Sequence, residues 1–305
     1  MSKSVLDSIG EFLKPQAPFW ACELTSKHVI VAGVDGKRRR IEGRVASELP
    51  AGGLNGSLAE ANIANADAIR ANVKDALIRA GFQGSEIGLV IPDEAARIAF
   101  LTADKLPKDP KEQLTFIRWK LKKTVPFDID TAQIAHKVLG LHFSNGVATG
   151  TGVELVAAVS PRFIIQEYEQ LMDGLDLHAG FILPSTIAAL NLYQAPPGDS
   201  LFVKIAPDCV TTSIFQARRL AFYRRVAGAA VYDAVYPTIL YYQDKLQGTA
   251  IQQLTVCGYD DHRRDAIVEL EQKLNLSTQR LQPASVDDIY KPALGSVHAS
   301  WQSLI

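Results

Sequence analysis

From residue 19 the chain alternates short apolar runs with polar breaks. FWAC and HVIVAGV flank the polar stretch ELTSKH, and the basic turn DGKRRR leads into IEGRVASEL. Apolar runs of strand length, bounded by turn residues, predict a meander of antiparallel strands. GGLNGSLAEAN, rich in Gly and Asn, predicts a loop. In ADAIRANVKDALIRAGF the residues Ile69, Val73, Leu77 and Ile78 recur at helical spacing, and Gly81 supplies a stop. EIGLVIPD then predicts a buried strand. Ahead of this, SVLDSIGEFL (4–13) gathers Val5, Leu6, Ile9, Phe12 and Leu13 on one helical face before Pro15 and Pro18. That face is expected to fold back on its own unit; the alternative is a membrane-surface or partner-binding tail.

Residues 97–160 change character. RIAFLTADKLP predicts a strand and turn, DPKEQLTFIRWKLKKTVPFD a helix, and AQIAHKVLGLHFSNG with GVELVAAVS a hairpin, together a small inserted unit. PRFIIQEYEQLMDGLDLHAGFILPSTIAALNLYQ then predicts a helix ended by Gly174, a short strand, and a helix capped near Ser185. After APPGD the opening plan repeats. SLFVKIAPDCVTTSIFQARRLAFYRRVAG predicts strands with a polar loop after the first, AAVYDAVYPTILYYQDKLQ a helix despite Pro237, IQQLTVCGY a strand, and DHRRDAIVELEQKLNL an amphipathic helix. The expectation is an α/β chain in two like halves: residues 1–96 with 161–196, an insertion at 97–160, and a second half at 197–305.

Composition narrows the class. The 305 residues are 47 % hydrophobic and 21 % charged, with 32 basic and 33 acidic side chains. A net charge of −1 lacks the electrostatic footprint of a general nucleic-acid binder. Cys22, Cys209 and Cys257 lie too far apart for a disulfide framework or a zinc-ligand set, which fits a reducing cytoplasm. MSKSVLDSIGEFLKPQ lacks a secretory pattern, and no transmembrane segment is expected, because no apolar run approaches about 20 residues.

The commonest catalytic signatures, HEXXH, GXSXG and GXXXXGK[ST], are absent. The six histidines pair with no carboxylate and nucleophile at a recognisable spacing. The basic residues at 37–40 and Arg218, Arg219, Arg224 and Arg225 fall at turns or beside strands, where solvated charge keeps edges apart. The alternative use is docking of an acidic partner or anionic lipid. In KEQLTFIRWKLKK the residues Leu114, Ile117 and Leu121 share one face and Trp119 turns away from it, as an interface residue would.

The order of elements resembles the actin-like ATPase superfamily, and in particular the type IV pilus assembly PilM family, a relative of FtsA. Three segments carry the resemblance: KLPKDPKEQLTFIRWKLKKTVPFDIDTAQIAHKVLG with its VPF triplet, LVAAVSPRFIIQEYEQLMDGLDLHAGFILPSTIAALNLY, and FYRRVAGAA. It implies an actin-like (ribonuclease H-like) two-domain fold with a small inserted α+β subdomain. The second domain's own insertion is missing, because only residues 231–235 stand between VAGAA and YPTILYYQDK.

In that superfamily two hairpin loops hold nucleotide phosphates and an aspartate manages the metal. Here the first loop's Asp-x-Gly-Ser/Thr pattern falls on Glu23, Leu24, Thr25 and Ser26, with Lys27 beside it to neutralise a phosphate. The second loop's Asp-x-Gly falls on Lys204, Ile205 and Ala206, followed by Pro207, which has no N–H to donate; Asp208, Thr211 and Thr212 remain as polar candidates. At the adenosine side Gly258 survives and Tyr259 adds a ring. The resemblance therefore implies relict nucleotide loops, with ATP and Mg as family cofactors that this chain is expected not to use, and no catalytic residue or metal site. It further implies a cytoplasmic scaffold, peripheral to the inner membrane, that binds the tail of a PilN-like protein. The tail is expected as an extended peptide between the first domain and the insertion, at Leu106, Trp119, Val125, Pro126 and Phe127, with other pilus platform components and self-association as further contacts. Two alternatives stand beside it: an ATPase using Glu23, Lys27 and Thr211 in unconventional roles, and the cytoplasmic platform component of a type II secretion system.

Overall fold

The computed structural model describes residues 17–37, 40–144, 147–258 and 264–298, with side chains left aside at 141–151. The helix expected at 4–13, Tyr259 and the end of the tail lie outside the described residues. Strands β1 (Trp20–Leu24), β2 (His28–Val34) and β3 (Ile41–Glu48) form the expected meander, and β4 (Glu86–Ile91) and β8 (His178–Pro184) extend it in parallel to the order β3-β2-β1-β4-β8. The second half repeats the plan strand for strand. β9 (Ser200–Ile205), β10 (Cys209–Gln216) and β11 (Arg219–Ala227) make the meander, while β12 (Gln253–Gly258) and β13 (Thr278–Arg280) add in parallel, giving β11-β10-β9-β12-β13.

Period-two alternation decides what each sheet face meets. In β1, Cys22 and Leu24 face α1 (Ala66–Ala80) and α3 (Arg162–Asp173) in one apolar cluster, so Ala21 and Glu23 face the other way. In β9, Leu201, Val203 and Ile205 face α5 (Val231–Asp244) and α6 (Arg264–Leu274), which turns Phe202 and Lys204 toward the first half. Helix α1 starts on an Asn65 side-chain cap and ends at Gly81, whose φ of 79° is the left-handed conformation glycine adopts without strain. Ile78, placed by spacing with the apolar set of this helix, is 68 % exposed, because the buried face runs through Ile69, Val73, Ala76, Leu77 and Ala80. Helix α5 runs unbroken through Pro237, and only residues 228–230 separate it from β11, so no subdomain is inserted there.

Between β4 and β8 the insertion forms a three-stranded sheet, β5-β7-β6, from β5 (Arg97–Ala103), β6 (Ala132–Ser144) and β7 (Val147–Pro161). Helix α2 (Pro110–Leu121) covers one face of it through Ile117 and Leu121 on Leu155, Ala157 and Val159. Helix α4 (Ser185–Leu190) and its neighbours join the halves in a cluster holding Val90, Leu183, Phe202, Phe215, Leu220 and Cys257. The sequence places a cap near Ser185, but the structure does not: α4 begins at Ser185 after Pro184 with no side-chain cap, and the Ser185 hydroxyl donates to Glu23. Residues 291–297, read as part of the second half and its tail, form α7 (Lys291–Val297), which packs on the first sheet, over Ala21 and Ala32. Small residues on that face of β1, β2 and β4 make the seat.

Candidate functional site

The two meanders bring their first turns face to face, with Glu23 near the end of β1 and Lys204 near the end of β9. Both side chains are buried. Asp93, which follows β4 as the last residue of IPD, lies between the halves, and four donors converge on it. The Thr186 N–H reaches Oδ1 at 2.7 Å; the Thr186 hydroxyl, the Lys204 ammonium and the Thr211 hydroxyl reach Oδ2 at 2.6, 3.3 and 3.4 Å. Lys204 and Asp93 are each only 1 % exposed at the side chain. Ser185 donates its hydroxyl to Glu23.

The charges settle one another. Burial pushes the Glu23 carboxyl up, and although the Lys204 ammonium and the Ser185 hydrogen bond pull it down, it stands at about 8. Burial alone would disfavour the Lys204 ammonium, but Asp93 and Glu23 outweigh it and hold its pKa above the ordinary lysine value. The site is a lysine cation held by one aspartate, with a protonated glutamic acid beside it at neutral pH.

The loops are closed over this centre by their own side chains. The Ser26 hydroxyl donates to the Asp208 carboxylate across the two halves. Thr25 spends its hydroxyl locally, accepting from the N–H of Lys27 at 3.2 Å and of His28 at 2.8 Å. A cavity of about 20 Å³ remains, lined by Thr25, Ser26, Asp93, Lys204, Pro207 and Asp208 among others. That is room for about one water molecule and not for a phosphate.

The remaining expected residues lie outside this centre. Lys27 is exposed. Thr212 faces the other side of β10, hydrogen-bonded to Thr238 at 2.8 Å. The Gly258 N–H donates to Asp288 at 3.1 Å, and Asp288 is itself paired with the fully buried Lys291. The residues present do not fit a magnesium nucleotide: an internal ammonium stands among the carboxylates, an internal carboxylate takes the Gly258 N–H, and no space for a phosphate is left. Among the described residues no group of three or more His, Cys, Asp or Glu could hold a metal ion. Sequence reasoning missed Asp93, Ser185 and Thr186, and the signal for Asp93 was an acidic residue directly after an apolar strand.

Of the residues expected to meet a partner, Trp119 is 68 % exposed and Pro126 is exposed, while Leu106, Val125 and Phe127 are half-buried against the core of the insertion. Trp119 lies beside Phe116, with ring centroids 6.2 Å apart, and Lys120 approaches both rings. Among the described residues no helix is long and apolar enough to cross a membrane.

No protein-family model matches the sequence, and no curated protein matches it either. Solved structures do. The chain is similar to PilM in the PilM-PilN type IV pilus biogenesis complex, with a TM-score of 0.75 at 14 % identity over 93 % of this chain and 98 % of that one. It is also similar to a Bacteroides thetaiotaomicron protein of actin-like ATPase fold and unknown function, with a TM-score of 0.55 at 9 % identity over 92 % and 96 % of the two chains.

Proposed function

We propose that this chain, whose fold is that of the actin-like ATPases, is a non-catalytic scaffold of a type IV pilus assembly platform, working without ATP or magnesium. The single observation that carries this reading is the buried Lys204 ammonium beside Asp93. Where the superfamily pattern calls for an acidic residue in each phosphate loop, this chain pairs an acid with a base, so the centre is neutralised from within. A scaffold needs a fixed relation between its halves, and an internal ion pair supplies one without a ligand.

The partner in this reading is the cytoplasmic tail of a PilN-like inner-membrane protein, which would hold the scaffold at the inner face of the membrane. Support comes from the likeness to PilM over nearly the whole of both chains. The tail would lie extended between the first domain and the insertion, with main-chain bonds fixing its register and side chains selecting it. Trp119 and Pro126 offer it exposed surface, and Leu106, Val125 and Phe127 support them from the insertion's core.

The test is calorimetric titration with the synthetic cytoplasmic tail of the PilN-like protein encoded in the same genome. Micromolar binding, unchanged by Mg-ATP, is expected. No binding of that tail, or binding that appears only with nucleotide, would overturn the proposal.

A further inference from the structure

A cleft of about 800 Å³ opens between the inserted sheet, the segment after α4, and the β10–β11 turn. Its floor is apolar and rigid. Tyr193 packs at 5.2 Å from the Phe202 ring and 5.0 Å from the Phe215 ring, and its hydroxyl is fixed on Ser200 at 2.9 Å. Its walls are basic. Lys137, Arg218 and Arg219 line it and no Asp or Glu does, in a chain whose overall charge is −1.

Two features make this wall more than a chance of surface charge. The β10–β11 hairpin closes through Ala217 and Arg218, both at positive φ, 49° and 66°. A two-residue loop of that shape favours Asn-Gly, and an L side chain there is strained. The chain nevertheless keeps an arginine at this turn, exposed at the mouth of the cleft. The second feature is β6, which supplies Lys137, Val138 and Leu139 to the cleft and ends its sheet, with β7 on one side and no strand on the other among the described residues. Unpaired main-chain groups on such an edge are a template for another strand.

We propose that this cleft is a docking site for an extended acidic segment of a partner protein, in which carboxylates alternate with apolar side chains. The segment adds as a strand along β6. Its apolar side chains settle on the half-buried Tyr193 and Leu139, above a floor of buried Phe215 and Leu220, and its carboxylates meet Arg218 and Lys137. Arg219 is already engaged with Glu154 and contributes charge to the wall. The basic lining selects an acidic partner, and the strand edge selects an extended chain over a compact anion. The site is separate from the proposed tail site: α2, Trp119 and Phe127 belong to the opposite side of the inserted sheet, so either reading can fail alone.

The experiment is display panning of a random twelve-residue peptide library against the full chain, with the enriched peptides then measured by fluorescence anisotropy. Expected is a consensus of acidic residues alternating with apolar ones, whose affinity falls about tenfold in Arg218→Gly and in Lys137→Glu. Arg218→Gly relieves the turn, so its melting temperature should equal or exceed that of the native chain, which separates lost recognition from lost folding. A neutral or basic consensus, no enrichment, or affinity unmoved by both substitutions would overturn the proposal. So would sedimentation showing the cleft closed by a second copy that Arg218→Gly releases, or ATP and pyrophosphate displacing the peptides at micromolar concentration.

Discussion

Lys204 Nζ lies 3.3 Å from Asp93 Oδ2, with both side chains out of water, at the contact between the two halves. Removing one member strands a buried charge. Asp93→Asn or Lys204→Met alone should therefore lower stability by about 3–5 kcal/mol, whereas the double variant should recover most of that loss. Chemical denaturation of the three variants measures the coupling as a double-mutant cycle. Additive losses would show that the two groups do not sense each other.

The same pair predicts the response to nucleotide. With about 20 Å³ left between the loops, ATP binding requires breaking the Ser26–Asp208 link and displacing the ammonium. Titration with millimolar Mg-ATP should give no detectable heat and no shift in melting temperature. A dissociation constant in the low micromolar range would reverse the reading of the centre and make nucleotide-controlled assembly the working model.

What the sequence disclosed here follows from the range of each interaction. The duplicated meanders were legible, because period-two alternation and turn residues are local signals and occur twice in the same order. The loss of the second loop's aspartate was legible at Lys204. That Lys204 would then be matched by Asp93 was not, since 111 positions separate them and only the packing of the halves brings them together. Ser185 shows the same limit. A serine opening a helix reads as a cap, yet a buried carboxyl facing it from β1 takes the hydroxyl. Helix α7 was hidden for a related reason: PALGSV has no strong helical pattern, and its place is set by the small residues Ala21 and Ala32, far earlier in the chain.

Glu23 makes a prediction in pH. With a native pKa of about 8 against an ordinary value of 4.5, the folded chain holds a proton that the unfolded chain has released between those limits. Stability from this group is complete below about pH 4.5, falls as pH rises through the window by at most about 1.4 kcal/mol per unit, and levels off above 8. Glu23→Gln keeps the shape and removes the titration. Urea midpoints from pH 5.5 to 9 should show the variant gaining on the native chain as pH rises. A constant difference between the two would mean that Glu23 is ionised throughout.

Trp119 separates binding from folding. At 68 % exposure on α2 it contributes little to the core, so Trp119→Ala should move stability by no more than about 0.5 kcal/mol. If it anchors the PilN-like tail, the same change should weaken tail binding about tenfold or more, as truncation of a tryptophan hot spot does. An unchanged affinity would remove Trp119 from the proposed site.

Gly295 tests how α7 is held. A Cβ built there would stand 1.9 Å from the carbonyl oxygen of Ala188 and 2.7 Å from its carbon, so α7 and α4 touch backbone to backbone. Main chain cannot rotate aside as a side chain can. Gly295→Ala must push α7 off its seat on Ala21 and Ala32, at a cost of about 1–3 kcal/mol or more. The loss should appear as faster proteolysis near residue 290 before global unfolding, because α7 is short and its apolar seat is supplied mainly by β1, β2 and α4. Leu294→Ala, which opens a cavity without a clash, should weaken the same helix, and an effect from Gly295→Ala no larger than from an exposed alanine substitution would show that the two helices do not meet as described.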